Sequence, residues 1–405
     1  MKISTLLDRE PFQEIFENTL QSFLVNWSGH THVVKWDPRE SLYKSLEPPQ
    51  LWYCNPLINS VFVDGVNAVV FESINGEYAH NPMAPWRSWF QNLYLILSQS
   101  KILATKLSKY KITISPPIGS ADNKLIIGGN TKLRLMDSAK KEVYVLLKEG
   151  FDEKYLQKEI FVRLEFPYLP IPKIIELGSN GKWYSEEYIL GKPPNRLDQV
   201  LGDKILLKAV SHVHQMLHET KKGVFLSEYV TRIEADINEG IDNILYIDID
   251  VANDIKSITS SLSHFLRKSE NQELTLAHCH GDFHQGNILA NNDKYWILDW
   301  EYSGVKQIAY DLLILLLESR IDNGFAARFF NIVNNDLNEF QIKLANDWPE
   351  LNWNDEDSKA RYLMVFLLED LLFHIKESGN KLFYEKSDIL KNRSNEIKKI
   401  VTVLL

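Results

Sequence analysis

The sequence is poor in cysteine, in long apolar runs and in excess positive charge. Two cysteines in 405 residues exclude a disulfide framework and, with a start that lacks a secretory signal, predict a reducing, cytoplasmic setting. The longest apolar runs, such as residues 312–317, are too short to span a bilayer. A net charge of −9 argues against a general binder of nucleic acid or anionic membranes and is compatible with a cationic substrate.

The composition is that of a globular protein, with 44% hydrophobic and 24% charged residues, and the length allows two or three domains. Apolar residues at helical spacing predict a first helix over residues 11–24. Residues 60–63 and 66–71 flank Asp64-Gly65, which predicts a β-hairpin. Pro116-Pro117 then breaks the pattern. We therefore expect an N-terminal α+β unit over residues 1–118, whose role the sequence does not indicate.

Two polar segments farther along the chain carry the chemistry. Residues 280–287 read HGDFHQGN, and residues 297–301 read ILDWE after an apolar run. Phosphoryl transfer needs oxygen ligands for Mg²⁺ and a carboxylate near the attacking hydroxyl. Asp282, Asn287 and Asp299 supply two carboxylates and an amide at strand edges, so we predict a phosphoryl-transfer centre. For Asp282 and Asn287 alone, an Asx-turn with a capping asparagine would be the better interpretation.

Taken together, HGDxxxxN and IxDxE resemble the catalytic and metal-binding segments of the aminoglycoside phosphotransferase and choline kinase family, relatives of the protein kinases. The resemblance covers about residues 120–380. It implies that Asp282 is the catalytic residue and that Asn287 and Asp299 bind Mg²⁺. It leaves Glu301 open between supporting a second metal ion and hydrogen-bonding the loop. It also implies that His280 holds the catalytic loop and that Asp311 ties the following helix to it.

The nucleotide-binding residues follow from the same resemblance. The turn at Gly128 and Gly129 would let backbone N–H groups approach the phosphates of the nucleotide. Lys148, at the end of a buried-looking strand, would hold the α- and β-phosphates, and Glu159 on the next helix would pair with that lysine. The backbone of Glu187, Tyr188 and Ile189 would bind the adenine. The expected cofactors are ATP, or possibly GTP, and Mg²⁺.

The fold class that the resemblance implies is α+β, a protein-kinase-like fold of two lobes with an additional N-terminal α+β unit. Residues 119–191 would form the β-rich, nucleotide-binding lobe. Residues 192–405 would form the helical lobe with the catalytic loop and the acceptor pocket. Oligomeric state is left open.

The acceptor is expected to be a small molecule with a hydroxyl group. A protein kinase needs a long activation segment, whereas Asp311 follows Asp299 by only 12 positions (311 − 299 = 12). Sugar-like, aminoglycoside-like and amino-alcohol acceptors rank nearly level. Aromatic residues could enclose an amine, and acidic residues could bind a polyamine; the candidates are Trp348, Trp353, Phe373 and Tyr384, and Asp355, Glu356, Asp357, Glu369 and Asp370.

Two other functions are considered. The first is a nucleotide-binding module that has lost catalysis and whose N-terminal unit is the functional part; intact Lys148, Asp282, Asn287 and Asp299 argue against it. The second is a zinc hydrolase, suggested by the i, i+4 spacing of His214 and His218. It is disfavoured because no glutamate follows the first histidine, as an HExxH motif would require.

Overall fold

A computed structural model describes residues 2–37, 48–72, 74, 85–100, 102–244, 247–268, 272–346, 348, 355–384 and 388–405. The strands are β1 (Val33–Trp36), β2 (Gln50–Asn55), β3 (Ser60–Val63), β4 (Tyr110–Ser115), β5 (Lys124–Gly128), β6 (Lys132–Asp137), β7 (Glu142–Leu147), β8 (Ile174–Leu177), β9 (Trp183–Glu187), β10 (Lys222–Phe225), β11 (Glu273–Cys279), β12 (Ile288–Asn291), β13 (Lys294–Ile297) and β14 (Gly304–Gln307). The helices are α1 (Ile3–Arg9), α2 (Phe12–Ser28), α3 (Pro85–Ser98), α4 (Lys154–Glu165), α5 (Gln199–Thr220), α6 (Leu226–Asn243), α7 (Ile249–Arg267), α8 (Tyr310–Leu316), α9 (Phe325–Val333), α10 (Glu339–Asn346), α11 (Glu356–Ser378) and α12 (Asp388–Leu404).

The chain divides into two units. Unit 1 comprises Met1–Glu165, Pro170–Leu197 and Leu289–Glu301, and unit 2 comprises Phe166–Leu169, Asp198–Ile288 and Tyr302–Leu405. Unit 1 contains a nine-stranded sheet, and unit 2 contains α5–α12. A β-rich unit and a helical unit agree with the predicted α+β fold, which is confirmed.

The sheet of unit 1 is antiparallel, with the strand order β1-β4-β2-β3-β5-β6-β7-β9-β8. Val61 of β3 pairs with Ile126 of β5 and so joins the N-terminal strands to those that follow. The expected domain boundary near residue 118 therefore lies between β4 and β5, which are two strands of the same sheet.

Helix α2 covers this sheet with its aromatic face, and the predicted first helix is confirmed. Phe23 makes an edge-on contact with Trp183 of β9 and a tilted contact with Tyr144 of β7. Phe16 contacts Trp36 of β1 edge-on. Burying an aromatic side chain of this size contributes about 2–3 kcal/mol, so α2 is held firmly against the strands.

The predicted hairpin around Asp64-Gly65 is wrong in its second half. Residues 60–63 form β3, but Ala68–Phe71 form a short 3₁₀ helix. The backbone partners of β3 are instead β2 and β5. Because β3 is paired on both sides, a returning strand has no edge on which to pair.

Unit 2 contains a small sheet of order β10-β11-β14, and β11 leads into the HGD segment. Helix α8 is buried at every position, as its apolar sequence predicts. Helix α11 buries fourteen of its 23 residues, so it forms a central element of this unit. In the part of the chain that the structure describes, no helix combines the length and apolarity needed to cross a membrane.

Candidate active site

The loop after β11 holds Asp282 through a buried anchor. The backbone N–H groups of His280 and Gly281 donate to the two carboxylate oxygens of Asp311, across 2.6 and 2.9 Å. Asp311 is fully buried in α8. The Asp282 N–H also donates to Nδ1 of His280, at 3.2 Å. Both structural roles predicted for His280 and Asp311 are thus confirmed.

Gly281 is required by this loop geometry. Its φ is +84°, in the left-handed region that favours glycine, and a Cβ atom there would lie 2.1 Å from the carbonyl oxygen of Tyr302. Any side chain would therefore push Asp282 away from its position.

Three side chains surround the Asp282 carboxylate. Arg320 donates from Nε to Oδ1 at 2.5 Å, and Asn287 donates from Nδ2 to Oδ2 at 3.1 Å. His284 Nε2 lies 3.6 Å from Oδ2. Burial alone would raise the pKa of Asp282, but Arg320 and His284 outweigh it and hold that pKa below its usual value. Asp282 is therefore an oriented, ionised carboxylate.

The sequence analysis missed Arg320. Its guanidinium also donates to the Gly281 carbonyl oxygen at 3.0 Å, lies 3.4 Å from Asp370 Oδ1, and stacks over the Phe373 ring with its carbon 3.7 Å from the ring centre. It comes 38 positions after Asp282, and no motif links the two. Only the folding of unit 2 brings the arginine to the loop.

In unit 1, charged side chains gather around Asp299. Arg134 Nη2 contacts Oδ1 of Asp299, and Lys132 Nζ lies 3.3 Å from the same oxygen. Lys132 also contacts Glu159 at 2.5 Å and Glu301 at 3.0 Å. Burial would raise the pKa of Asp299, but Arg134 and Lys132 hold it below its usual value. Asp299 is 30% exposed, so the cluster reaches solvent there.

The ion pair expected between Lys148 and Glu159 is wrong. Glu159 pairs with Lys132 and accepts a hydrogen bond from the hydroxyl of Tyr184. Lys148 pairs with Glu10. The reason is the alternation of side chains along a strand. Lys132 lies opposite Leu147 in the β6–β7 ladder, and Lys148 follows Leu147 by one residue. Successive side chains of a strand point to opposite faces, so Lys148 lies on the face away from Glu159.

Glu301 is tied into the same cluster. Its Oε2 accepts a hydrogen bond from the Thr131 hydroxyl and lies beside Lys132. Burial raises the pKa of Glu301 to about 7, against the opposing effect of Lys132. The sequence left two roles open for Glu301. Its contacts in the structure are those of a hydrogen-bonded residue, and support of a second metal ion stays a prediction.

The glycine turn between β5 and β6 is closely packed. A Cβ atom on Gly129 would lie 2.7 Å from the Lys132 carbonyl oxygen, and one on Gly128 would lie 2.8 Å from Ile3 of α1. Asn59 donates to the Gly128 carbonyl at 2.9 Å. Packing alone thus explains both glycines, and phosphate approach at this turn stays a prediction.

Two of the three predicted adenine-binding residues use their N–H groups within unit 1. The Glu187 N–H donates to Lys173, and the Tyr188 N–H donates to Lys141, each to a backbone carbonyl at 3.1 Å. Base recognition at residues 187–189 stays a prediction, and it would depend on other backbone groups of this segment.

Each unit presents an oxygen atom of the kind that Mg²⁺ binds. Among the described residues, no group of three or more His, Cys, Asp or Glu side chains is arranged to hold a metal. Asp299 offers a carboxylate at the exposed end of its cluster. Asn287 turns its Nδ2 towards Asp282, so its amide oxygen is the atom available to a cation. Mg²⁺ usually takes one or two carboxylates and completes its shell with water and phosphate, so few protein ligands suffice.

The residues considered for an acceptor pocket mostly have other roles. Trp348 is fully buried against His214, and Phe373 packs on Arg320 and Tyr302. Tyr384 is exposed, and Trp353 lies outside the described residues. The acidic residues divide between the start of α11 and the buried interior, where Glu369 binds Tyr229 and Gln307. These contacts identify neither an aromatic cage nor an acidic pocket.

The segment that contains the loop after β11 and Asp299 also matches a known protein family. Residues 160–350, somewhat less than half of the chain, match the model of the phosphotransferase enzyme family (APH). Asp282, Asn287, Asp299 and Glu301 all lie within the matched segment. The resemblance predicted from the two motifs is therefore confirmed over these residues.

Among curated proteins, the chain is similar to Protein LicA of Haemophilus influenzae (strain ATCC 51907 / DSM 11121 / KW20 / Rd), with 31% identity over 77 residues. The match covers 18% of this chain and 29% of LicA, so it spans less than a third of that relative.

Solved structures with a detectable likeness include a choline kinase LicA from Streptococcus pneumoniae, with a TM-score of 0.43 and 13% identity over 71% of this chain and 92% of the other. An ethanolamine kinase from Plasmodium vivax has a TM-score of 0.44 and 13% identity, over 84% of this chain and 94% of the other. These likenesses are too low to assign a substrate.

Proposed function

We propose that this chain is a small-molecule kinase that transfers the γ-phosphate of ATP, with Mg²⁺, to a hydroxyl group. The observation that carries the proposal is the Asp282 carboxylate, ionised and fixed between Arg320 and Asn287 within a segment that matches a phosphotransferase family. Phosphoryl transfer depends mainly on positioning and on charge stabilisation, and this loop provides a positioned charge.

On the acceptor side, Asp282 would orient the hydroxyl and accept its proton. A carboxylate has about four lone-pair directions, and Arg320 and Asn287 each use one. The remaining directions allow a third hydrogen bond to the acceptor. Fixing the carboxylate from two sides reduces the entropy lost when that bond forms.

On the nucleotide side, Asp299 and Asn287 would hold magnesium, with Glu301 as a candidate for further support. The ion, when bound, neutralises charge on the phosphates. Gly128 and Gly129 would place backbone N–H groups near the phosphates, and residues 187–189 would bind the base. A lysine of unit 1 would complete the phosphate contacts.

Nucleotide-dependent thermal unfolding tests the proposal. Unfolding midpoints are measured with ATP, GTP, ADP or no nucleotide, each with and without Mg²⁺, because a ligand that binds only the folded state raises its stability. We expect a Mg²⁺-dependent rise that Asp282→Asn keeps and Asp299→Asn loses. No rise with any nucleotide contradicts the proposal. A rise without transfer to sugars, aminoglycosides or amino alcohols would favour the catalytically inactive nucleotide-binding module.

A further inference from the structure

Unit 1 contains two buried lysines near the glycine turn, and they differ in what surrounds them. Lys132 opens β6 and is 2% exposed, and Lys148 follows β7 and is 1% exposed. Each ammonium group already has three acceptors, so a lysine that binds phosphate must exchange one of them for a phosphate oxygen. The contacts of each ammonium group decide which lysine can do so.

The charged acceptor of the Lys148 ammonium group is fully buried. Lys148 Nζ contacts a carboxylate oxygen of Glu10 and donates to the carbonyl oxygens of Asn130 at 2.7 Å and Gly129 at 3.4 Å. An ammonium group has three donors, and these acceptors use all of them. Nζ also lies 4.5 Å from the centre of the Phe151 ring. A phosphate oxygen that replaced Glu10 would leave that buried carboxylate without its partner.

Lys148 instead fixes the N-terminal segment. Glu10 accepts from Lys148 with one oxygen and from Arg9 Nη2 with the other, at 2.7 Å. Arg9 also binds the side chain of Asn130 in the glycine turn. The pair thus joins the residues between α1 and α2 to the turn, which is a structural role.

Lys132 lies in a different environment, among carboxylates that the proposed reaction uses. Glu159 orients it at 2.5 Å, as a helix glutamate orients the phosphate-binding lysine in the kinase scheme. Its next neighbours are Glu301 and Asp299. Asp299 is the proposed magnesium ligand and is 30% exposed, so a phosphate oxygen can replace it as an acceptor from Lys132.

Arg134 brings a second cation to the same carboxylate. It lies two residues after Lys132 on β6, so both side chains share one face of the strand. Its guanidinium contacts Asp299 and is 29% exposed. A guanidinium binds phosphate and carboxylate with the same paired N–H groups. Arg134 can therefore exchange Asp299 for a phosphate oxygen when a nucleotide binds.

We propose that Lys132 and Arg134 of β6, rather than Lys148, hold the polyphosphate of the bound nucleoside triphosphate. This inference rests on the proposed function for the presence of the nucleotide. It reassigns the phosphate contact from the end of β7 to the adjacent strand.

The first test is calorimetric titration of Mg²⁺-ATP, Mg²⁺-ADP and adenosine into each folded variant. Arg134→Gln and Lys132→Met are expected to weaken binding of ATP and ADP by about tenfold or more, as loss of a charge-assisted contact should. Adenosine affinity should stay the same, because adenosine has no phosphate. The matched control, Lys148→Met with Glu10→Met, removes both members of the other pair and should leave ATP affinity within about twofold of wild type.

Strand register provides a rescue experiment. Leu147 lies directly opposite Lys132, on the same face of the sheet. Adding Leu147→Lys to Lys132→Met returns an ammonium group to that face, and we expect it to recover most of the lost ATP affinity. If Lys132→Met fails to fold, Arg134→Gln alone gives the comparison, because it also removes a cation from this face.

The outcomes separate this inference from the function on which it rests. Wild-type protein that binds no nucleotide overturns both. Wild-type binding with unchanged ATP affinity in Arg134→Gln, or with loss only in the Lys148 and Glu10 double variant, overturns the reassignment alone. Equal losses for ATP and adenosine in the β6 variants also contradict it, since they would indicate structural damage.

Discussion

Arg320 donates from Nε to Asp282 Oδ1 across 2.5 Å, and its Nη2 donates to the carbonyl oxygen of Gly281. One guanidinium thus holds both the Asp282 carboxylate and the backbone of the loop after β11. Since burial raises the pKa of Asp282 and Arg320 lowers it, the arginine keeps Asp282 ionised at low pH.

Replacing Arg320 should therefore shift the pH dependence of catalysis. In Arg320→Met, burial acts without the opposing charge, so the pKa of Asp282 rises and a larger fraction is protonated in mild acid. The acidic limb of the kcat/KM profile should move to higher pH by about one to three units. Arg267→Met, which removes a surface pair with Glu234, is the control, and an unmoved limb in Arg320→Met contradicts the role assigned to the arginine.

Gly281 should tolerate no side chain. In Gly281→Ala, the Cβ atom would lie 2.1 Å from the Tyr302 carbonyl oxygen, so the loop must move. A displacement of about 1 Å at a catalytic group lowers turnover by roughly 10²-fold. Gly65→Ala is the matched control, because Gly65 has a similar φ of +72° but open space around it. It should cost about 1 kcal/mol of stability and leave turnover unchanged.

Glu369 should make stability depend on pH. Burial raises its pKa from 4.5 to about 7. At pH values between these two pKa values, the folded state holds a proton on Glu369 that the unfolded state has released. The stabilisation that this proton provides is therefore complete below pH 4.5 and is lost as the pH rises through 7. The loss should be roughly 1–3 kcal/mol. In Glu369→Gln, the amide oxygen can still accept a hydrogen bond from the Tyr229 hydroxyl. The thermal unfolding midpoint of this variant should lose the pH dependence between 4.5 and 7, and a variant that keeps the wild-type dependence would contradict the assignment.

The Lys148–Glu10 pair should show strong energetic coupling. Either single substitution to methionine leaves one buried charge without its partner and should cost about 3–5 kcal/mol of stability. The double substitution removes both charges and should cost clearly less than the two single costs together. Unfolding by urea measures this cycle, and strictly additive costs would mean that the pair is not coupled in the protein.

Contacts of the loop after β11 could be predicted from the sequence where they are short-range or implied by a motif. Asp282 and Asn287 lie five residues apart in one loop, and a side-chain hydrogen bond joins them. Asp311 was expected to tie α8 to the loop, and it binds two loop N–H groups. The first contact depends on short spacing along the chain, and the second was implied by the resemblance to a known family.

The wrong or missed predictions concern contacts that depend on tertiary structure. Order along the chain suggested Lys148 as the partner of Glu159, but a difference of one residue places it on the opposite face of its strand. Arg320 reaches Asp282 only through the fold of unit 2. The segment after Gly65 resembled a strand, but β3 was already paired on both sides. None of these outcomes can be obtained from local periodicity alone.

The most direct test of the central claim is transfer of labelled γ-phosphate from ATP, with Mg²⁺, to a panel of sugars, aminoglycosides and amino alcohols. Wild-type protein and Asp282→Asn are compared at equal nucleotide saturation. The proposed function predicts a phosphorylated acceptor with wild type and a loss of about 10³-fold or more with the variant, as expected when both positioning and base catalysis are removed. Equal transfer by the two proteins would contradict the assignment of Asp282 as the catalytic residue.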